Sequence, residues 1–146
     1  MKIRRLSSSD LDRVAQLEVE LFGAGAWSRE MLGEEVVAPG RHYLVAEVGS
    51  LVVGYAGGWL APEGHIMTIA VDVTYQRRGI GRALLGVLME KMAQVDAESV
   101  LLEVRADDLG AQKLYADFGF QQIGIRRRYY HGIDAVVMRA QLGRSE

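Results

Sequence analysis

The sequence contains no cysteine and only two prolines, Pro39 and Pro62, among its 146 residues. The lack of cysteine excludes disulfide bonds, thiolate metal sites and a cysteine nucleophile, and it fits a reducing cytoplasm. Neither proline marks a long linker, and no repeat or low-complexity tract interrupts the chain. No apolar run is long enough for a membrane-spanning helix, and residues 1–10 lack the apolar centre of a signal peptide. These absences predict one cytoplasmic domain over residues 1–146.

The sequence also lacks an excess of either charge, since its formal net charge is -2. This balance gives no strong global field that would attract nucleic acid or an anionic membrane, and we expect neither as a partner. The three histidines, His42, His65 and His131, have no spacing typical of a ligand pair, and no cysteine supports them. We therefore expect no metal site.

Hydrophobic periodicity predicts seven strands and four helices. The predicted strands cover residues 1–6, 43–48, 51–60, 65–71, 100–105, 120–130 and 135–142. The strand 65–71 is apolar enough to be buried on both faces. The longest helix is predicted over about Gly79–Val95, and Met67, Met89 and Met92 are expected to fill the core.

Residues that favour helix ends bracket the other predicted helices. Ser9, Ser28 and Asp108 are expected to cap the N-termini of three helices, and Gly119 is expected to end the last one. The order β-α-α-β-β-β-α-β-α-β-β predicts an α/β fold (an α+β mixed sheet) of about seven strands, with four helices on both faces. Strand 65–71, the longest helix and strand 100–105 form one parallel βαβ unit, expected to be right-handed.

The segment between this buried strand and the longest helix is rich in glycine and arginine. At such a junction the first turn of the helix offers N–H groups without intrahelical partners, and the helix dipole favours an anion. Gly79 and Gly81 let an anion approach the backbone, and three nearby arginines add positive charge. No Gly-Lys-Ser/Thr follows, which argues against a P-loop for nucleoside triphosphates. Leu84 stands where a dinucleotide fingerprint needs a third glycine, which argues against an NAD site. The alternative is that the glycines only permit a tight turn and close packing.

Two residues could carry acid–base chemistry. Glu103 lies inside a predicted strand, where a carboxylate is costly unless it is paired, hydrated or functional. Strand alternation also allows a surface pair between Glu103 and Arg105. Tyr115 has helical spacing with Leu114 and Phe118, which is also typical of a core aromatic residue.

Several runs together resemble a known family. Gln76-x-x-Gly79-x-Gly81-x-Ala83 resembles the acetyl-CoA pyrophosphate loop of the GNAT superfamily of N-acetyltransferases. The runs Leu102-Glu103-Val104-Arg105-Ala106, Ala111-x-x-Leu114-Tyr115-x-x-x-Gly119-Phe120, Arg126-Arg127-x-Tyr129-Tyr130 and Trp27-Ser28 resemble its RimI-type members, the bacterial ribosomal-protein-alanine N-acetyltransferases. The resemblance covers residues 3 to about 142.

The resemblance implies a function and a set of site residues. It implies acetyl-CoA as co-substrate and direct transfer, in a ternary complex, to a protein N-terminal α-amine, namely the N-terminal alanine of the eighteenth small-subunit ribosomal protein. It implies Glu103 as general base and Tyr115 as general acid. The implied acceptor-binding residues are Trp27, Tyr129 and Tyr130. The implied cofactor-binding residues are Ile69, Val71, Gln76, Arg77, Arg78, Gly79, Ile80, Gly81, Arg82, Ala83 and Asp108.

The sequence departs from the RimI-type pattern at two places. Asp107 and Asp108 stand where these enzymes usually have an asparagine that contacts CoA, and the loop over residues 131–134 is shorter than in many of them. Two other functions therefore stay open: a GNAT enzyme for another amine (a lysine, or a small polyamine or antibiotic), or a CoA-binding module without turnover. The basic run 126–128 disfavours a cationic small substrate, although arginines on an edge strand also serve to prevent aggregation.

Overall fold

Segments rich in β-branched residues alternate with helix-forming segments, and they form seven strands and four helices. The structure is a computed structural model that describes residues 1–130 and 132–143, and of Tyr130 only the backbone. The prediction for Tyr130's side chain therefore lies outside the described residues. The strands are β1 (Lys2–Arg5), β2 (Arg41–Val48), β3 (Leu51–Trp59), β4 (Glu63–Val71), β5 (Ser99–Arg105), β6 (Gln121–Tyr130) and β7 (Ile133–Gln141). The helices are α1 (Leu11–Phe22), α2 (Arg29–Val37), α3 (Ile80–Gln94) and α4 (Leu109–Asp117).

The seven strands form one mixed sheet in the order β1-β2-β3-β4-β5-β7-β6. Strands β1 to β4 are antiparallel neighbours, and β4 pairs with β5 in parallel because α3 carries the chain back between them. Strands β5, β7 and β6 then continue antiparallel. The predicted fold class, element order and parallel βαβ unit are confirmed.

The sheet has a separate apolar core on each face, because successive side chains of a strand point to opposite sides. Leu44 and Ala46 of β2 pack in the core that contains α3, whereas Val45 between them packs in the core that contains α1 and α2. Leu84, Leu85 and Leu88 of α3 are fully buried in the first core. The helices therefore cover both faces, as predicted.

The parallel pair β4–β5 is short. The two strands are paired only at Glu63↔Ser99, Gly64↔Val100 and His65↔Leu101. Beyond these pairs both strands border a cleft, so residues 67–69 of β4 are only half-buried. The prediction that strand 65–71 is buried on both faces is wrong for this reason: its β5 neighbour is lost halfway along.

A bulge in β4 marks the same place. Gly57 of β3 pairs with Thr68 and Gly58 pairs with Ile66, which leaves Met67 as the extra residue. A Cβ at Gly58 would stand 2.2 Å from the His65 carbonyl oxygen, so only glycine allows this close approach. The bulge turns Met67 into the cleft, and its predicted core role is wrong, whereas Met89 and Met92 are buried as predicted.

The predicted helix ends are confirmed at three of four positions. The side chains of Ser28 and Asp108 accept the N–H groups of Met31 and Ala111, and Gly119 follows α4 with a φ of 90°. Ser9 is not the cap of α1. A short 3₁₀ turn over Ser8–Asp10 precedes the helix, and the Asp10 carboxylate accepts the Ser7 N–H at 2.8 Å.

Within residues 1–130 and 132–143, no helix is long and apolar enough to cross a membrane.

Candidate active site

Three neighbouring cavities lie along the open end of β4 and β5. The loop cleft lies at the N-terminus of α3 and has a volume of about 440 Å³. The central cleft, of about 400 Å³, lies where β4 and β5 part. The inner cavity, of about 180 Å³, lies beneath α1, α2 and the turn between them.

Shared walls join these cavities into one path. Ile69, Asp108, Ala111 and Tyr115 line both the loop cleft and the central cleft. Phe22, Gly25, Met67 and Thr68 line both the central cleft and the inner cavity. A ligand in the central cleft can therefore contact groups held at the helix terminus on one side and beneath α1 on the other.

The loop cleft is formed mainly by the glycine-rich segment. Gly79 precedes α3 with a φ of 82°, and Arg77 also has a positive φ of 65°, so the chain turns sharply into the helix. The first N–H groups of α3 have no acceptor within the helix and lie at the positive end of its dipole. An added Cβ at Gly81 would reach the side chains of Val71 and Ile69 only at 3.8 and 4.0 Å, so glycine here keeps space open rather than avoiding a clash.

Most of the predicted cofactor-binding residues line this cleft. The set comprises Ile69, Val71, Gln76, Arg77, Gly79, Ile80, Gly81, Arg82 and Asp108, and Tyr75 joins it without having been predicted. The two exceptions are Arg78 and Ala83. The Arg78 guanidinium lies 5.0 Å from the centre of the Tyr75 ring, and the Ala83 N–H donates to the Gly79 carbonyl oxygen.

Several polar side chains of the loop make hydrogen bonds to other protein groups and so hold the loop in place. The Gln76 amide donates to the Val71 carbonyl oxygen at 3.0 Å. The Arg82 guanidinium donates to Asp117 of α4 at 2.8 Å and thereby ties α4 to the start of α3. This guanidinium also holds the pKa of the Asp117 carboxyl below its usual value. The loop's attraction for an anion therefore rests on backbone amides as well as on arginine charge.

An ion pair before the loop links it to α1. Asp72 accepts the Thr74 N–H at 2.9 Å and the Arg13 guanidinium at 2.7 Å. The backbone N–H and the guanidinium both lower the pKa of the Asp72 carboxyl. Arg13 also donates to the Val52 carbonyl oxygen, so α1, β3 and the loop entrance are connected by one side chain.

Glu103 lies in the central cleft with its carboxylate held from two sides. The Oε1 atom of Glu103 lies 2.8 Å from His65 Nε2, and its Oε2 atom lies 3.8 Å from the Arg126 guanidinium. Its side chain is only 12% exposed. Since an ionised carboxylate only accepts hydrogen bonds, His65 donates from Nε2 to Glu103 in that state. Arg105 instead pairs with Asp107 at 2.9 Å.

His65 was not predicted as a site residue, because the spacing of the histidines bears only on metal binding. Its register partner on β5 is Leu101, so Glu103 lies two residues further along the same face. The β4–β5 register was the missing signal. In the described part of the chain, no three His, Asp or Glu side chains gather as metal ligands.

Tyr115 lies opposite, on α4, at the junction of the loop cleft and the central cleft. Its ring packs edge-on against Phe120 with the centroids 5.9 Å apart. Tyr115 therefore packs against the core and also lines both clefts, and its role as general acid stays a prediction.

The predicted acceptor-binding residues Trp27 and Tyr129 do not line the same cavity. Trp27 lines the inner cavity. Tyr129 is 43% exposed, lies under the Arg126 guanidinium at 4.2 Å, and lines none of the three cavities. Because Arg126 also approaches Glu103, Tyr129 stands at the rim beside the central cleft.

Glu18 was not predicted to belong to the site. Its carboxylate lines the inner cavity, accepts the Trp27 N–H at 2.9 Å and accepts the Tyr55 hydroxyl. Burial is the main cause that raises the pKa of the Tyr55 hydroxyl, which therefore remains a donor at neutral pH. The signal was the helical spacing: Glu18 lies four residues after Val14, on the buried face of α1, whereas Asp12 and Glu20 are exposed.

The sequence and fold have clear relatives. The profile of the Acetyltransferase (GNAT) family matches residues 11–120. The chain is 42% identical to the N-alpha-acetyltransferase RimI of Mycobacterium tuberculosis, over 97% of this chain and 92% of that protein. It is 34% identical to a putative [ribosomal protein bS18]-alanine N-acetyltransferase of Bacillus subtilis, over 93% and 92% of the two chains.

A solved structure agrees with these matches. The crystal structure of the ribosomal-protein-S18-alanine N-acetyltransferase from Escherichia coli superposes with a TM-score of 0.90 at 29% identity. The alignment covers 99% of this chain and 96% of that one.

Proposed function

The chain belongs to the GNAT family of acetyltransferases and is an acetyl-CoA-dependent N-acetyltransferase, and from this premise we propose that its acceptor is the α-amine at the N-terminus of a protein. The proposed natural acceptor is the N-terminal alanine of a small-subunit ribosomal protein. The name of the M. tuberculosis relative supports an α-amine acceptor. The names of the relatives from B. subtilis and E. coli support the ribosomal alanine.

The observation that carries the proposal is the pair Glu103 and Tyr115 on the walls of one cleft, next to the loop cleft. A protein that only binds CoA needs the loop cleft but neither of these side chains. Transfer to an amine needs a proton acceptor near the amine and a proton donor near the leaving sulfur.

Glu103 serves as the general base. An N-terminal ammonium has a pKa of about 7.7–8.0, so most acceptor chains are protonated and not nucleophilic near neutral pH. The Glu103 carboxylate, held by His65 at one oxygen, takes a proton from the ammonium directly or through a water. The amine nitrogen then attacks the thioester carbonyl carbon and forms a tetrahedral intermediate.

Tyr115 serves as the general acid. When the intermediate collapses, the carbon–sulfur bond breaks and the CoA thiolate leaves. The Tyr115 hydroxyl supplies the proton that the thiolate needs. The remaining extra proton on the amide nitrogen then returns to the Tyr115 phenolate, and Glu103 releases its proton to solvent. Since the sequence contains no cysteine, direct attack is more consistent with the site than an acetylated thiol intermediate.

The N-terminus of α3 holds the diphosphate of CoA in this proposal. The amides of Ile80, Gly81 and Arg82 begin the helix, and the space above Gly81 lets phosphate oxygens approach the backbone. The pantetheine arm then runs along Ile69 and Val71 toward the central cleft. Asp108 is the residue that fits least well, since its carboxylate borders both clefts near a polyanionic ligand.

The test is thiol release from acetyl-CoA with two peptides in parallel. One begins with the free alanine of the ribosomal protein, and the other has the same sequence with a blocked N-terminus and an available lysine. Turnover with the free N-terminus alone supports the proposal. Turnover with the blocked peptide means a lysine acetyltransferase. No turnover with either, together with acetyl-CoA binding, leaves a small-molecule acceptor or a module without turnover.

A further inference from the structure

The His65 ring needs a fixed orientation to hold Glu103. Its Nε2 atom lies 2.8 Å from Glu103 Oε1, and rotation of the ring about its last side-chain bond would carry Nε2 away from that oxygen. In histidine this torsion is broad and has no sharply preferred value. The His65 side chain is also 23% exposed, so burial alone does not lock the ring. A group that packs against the ring would therefore raise the fraction of time in which the hydrogen bond is formed.

Trp59 of β3 packs against this ring. Trp59 and His65 are register partners across β3 and β4. Their ring centroids lie 5.7 Å apart with 66° between the ring planes, which is the edge-to-face arrangement that aromatic pairs favour. Glu103 follows on the same face of the sheet, because His65 is paired with Leu101 of β5. Trp59, His65 and Glu103 therefore form a row across three neighbouring strands.

The indole of Trp59 is itself held from two sides. Its Nε1–H donates to Oε2 of Glu35 on α2 at 2.8 Å, and the Arg41 guanidinium lies 4.4 Å from the ring centre. Arg41 and Tyr43 donate to the same oxygen of Glu35 at 3.1 and 2.8 Å. These donors compensate the cost of burying the Glu35 carboxylate, whose side chain is 11% exposed. The hydrogen bond and the cation–π contact together restrain the indole beside His65.

The attachment of α2 to the sheet does not by itself account for Trp59. Arg41 and Tyr43 of β2 already bind Glu35 to the sheet. Trp59 is 36% exposed, so its indole adds less apolar burial than a core tryptophan would. What Trp59 adds to this cluster is the contact with His65.

We propose that Trp59 is a positioning residue for the acetyl transfer and that it acts through His65. The restrained indole keeps Nε2 of His65 directed at Oε1 of Glu103, and thereby keeps the carboxylate where it meets the ammonium group of the acceptor. This inference rests on the proposed role of Glu103 as general base. It adds β3 and α2 to the support of a base that lies on β5.

The test compares two substitutions of Trp59. Trp59→Val removes the ring and places a β-branched residue, which suits a strand. With the free-alanine peptide and saturating acetyl-CoA, we expect its kcat to fall about fivefold, as for loss of one aromatic pair. The KM of the peptide and the Kd of acetyl-CoA should stay within about twofold of wild type, because the lost interaction serves the transition state rather than binding.

Two further variants sharpen this comparison. Trp59→Phe keeps an aromatic ring beside His65 without the Nε1–H, and its kcat should stay within about twofold of wild type. Leu51→Ala is the matched control, since Leu51 lies at the other end of β3 and is 43% exposed. This control should leave kcat unchanged.

A double variant separates positioning from a purely structural role. If Trp59 acts through His65, Trp59→Val should change kcat by less than about 1.5-fold once His65→Leu has removed the ring that it positions. A structural role alone predicts the same loss of about fivefold in both backgrounds, because the effects of independent sites add. Should urea melts show that Trp59→Val is unfolded, Trp59→Leu takes its place in this cycle.

The outcomes separate this inference from the proposed acceptor. Equal losses in the two backgrounds, equal impairment of the valine and phenylalanine variants, or a wild-type kcat for Trp59→Val overturns the inference. If wild-type protein acetylates only the lysine peptide, N-terminal acetylation fails, and the same cycle with that peptide still tests Trp59. No turnover of any acceptor by wild-type protein overturns both.

Discussion

The two halves of the proposed site, one for the cofactor and one for the acceptor, are built in different ways. The cofactor half is formed mainly by one continuous segment, from Val71 to Arg82, and uses backbone amides and missing side chains. The acceptor half is formed by side chains from α1, α2, β2, β4 and β5, and its key contact joins His65 to Glu103 across 38 positions. A site made of local backbone can be found in a sequence pattern, whereas a site made of distant side chains exists only after the chain has packed.

The halves meet at two places. Tyr115 borders both the loop cleft and the central cleft, and the Arg13–Asp72 ion pair joins α1 to the entrance of the glycine-rich loop. Because the two halves are built from different elements, substitutions in the acceptor half should change catalysis without changing acetyl-CoA affinity. Substitutions in the loop should do the reverse.

The largest effect is expected from Glu103→Gln. This variant keeps the shape of the side chain but cannot accept the proton, and we expect kcat to fall roughly 100- to 1,000-fold, as for loss of a general base. The Kd of acetyl-CoA, measured by calorimetry, should stay unchanged. The loss should be greatest at low pH, where more of the amine is protonated. Glu20→Gln on the exposed side of α1 is the control, and near-normal turnover by Glu103→Gln would remove Glu103 from the base role.

A smaller loss is expected when His65 is replaced. In His65→Leu the carboxylate loses a donor to a charged acceptor, which costs roughly 10- to 50-fold in kcat/KM for the peptide.

The matched variant is His65→Gln, whose amide N–H can donate at a similar reach. It should recover kcat/KM to within about threefold of wild type, since one neutral donor to the Glu103 carboxylate replaces another. If His65→Leu and His65→Gln are equally impaired, or if His65→Leu turns over the peptide as fast as wild type, His65 does not position Glu103 through this hydrogen bond.

The reverse pattern is expected from Gly81→Ala. The new methyl meets the protein only at ordinary contact distances, and alanine favours a helix more than glycine does, so the fold should not weaken. The methyl occupies the space above the loop, and we expect the KM for acetyl-CoA to rise roughly tenfold, as for one misplaced methyl group in a binding site. Gly86→Ala, later in the same helix and 3.8 Å from Phe118, is the control and should bind acetyl-CoA normally.

The smallest effect is expected from breaking the ion pair that joins the halves. Arg13→Leu should reduce the free energy of unfolding by about 1 kcal/mol at neutral pH, as for a partly exposed ion pair. The folded-state pKa of Asp72 lies below its ordinary value of 3.8, so its contribution is present above that value and is lost as the pH falls. The difference between wild type and variant in urea melts should therefore be constant from pH 7 to about 5 and shrink below about pH 4. A difference that grows in acid would contradict this assignment.

The fold was predicted well because its signals are local. Ser28, Asp108 and Gly119 lie at helix ends, and each acts through residues within a few positions of itself. The order of strands and helices followed from periodicity alone. Ser9 failed as a cap because Ser7 and Asp10 form a competing turn that begins two residues earlier, and three serines in a row give no way to choose among them.

The parts of the candidate site that lie close together in the sequence were easier to predict than the parts that pack together from distant elements. Nine of the predicted cofactor-binding residues line the loop cleft. Glu103 was selected by the cost of a carboxylate in a strand together with the resemblance to RimI-type enzymes, and its role stays a prediction. Its partner His65 was not predicted, because the β4–β5 register cannot be seen in either strand taken separately. Met67 was misassigned because an apolar residue in an apolar strand reads as core, and only the bulge opposite Gly57 and Gly58 turns it outward.

The sequence by itself determined the elements, the glycine-rich helix entrance and the residue types available for acid–base chemistry, since these depend on side-chain periodicity and on backbone freedom within a few residues. The tertiary structure alone decided where β4 and β5 separate, which oxygen of Glu103 faces His65, and that Glu18 borders an apolar cavity. These features depend on strand register and on packing between elements far apart in the chain, and no short stretch of sequence contains them.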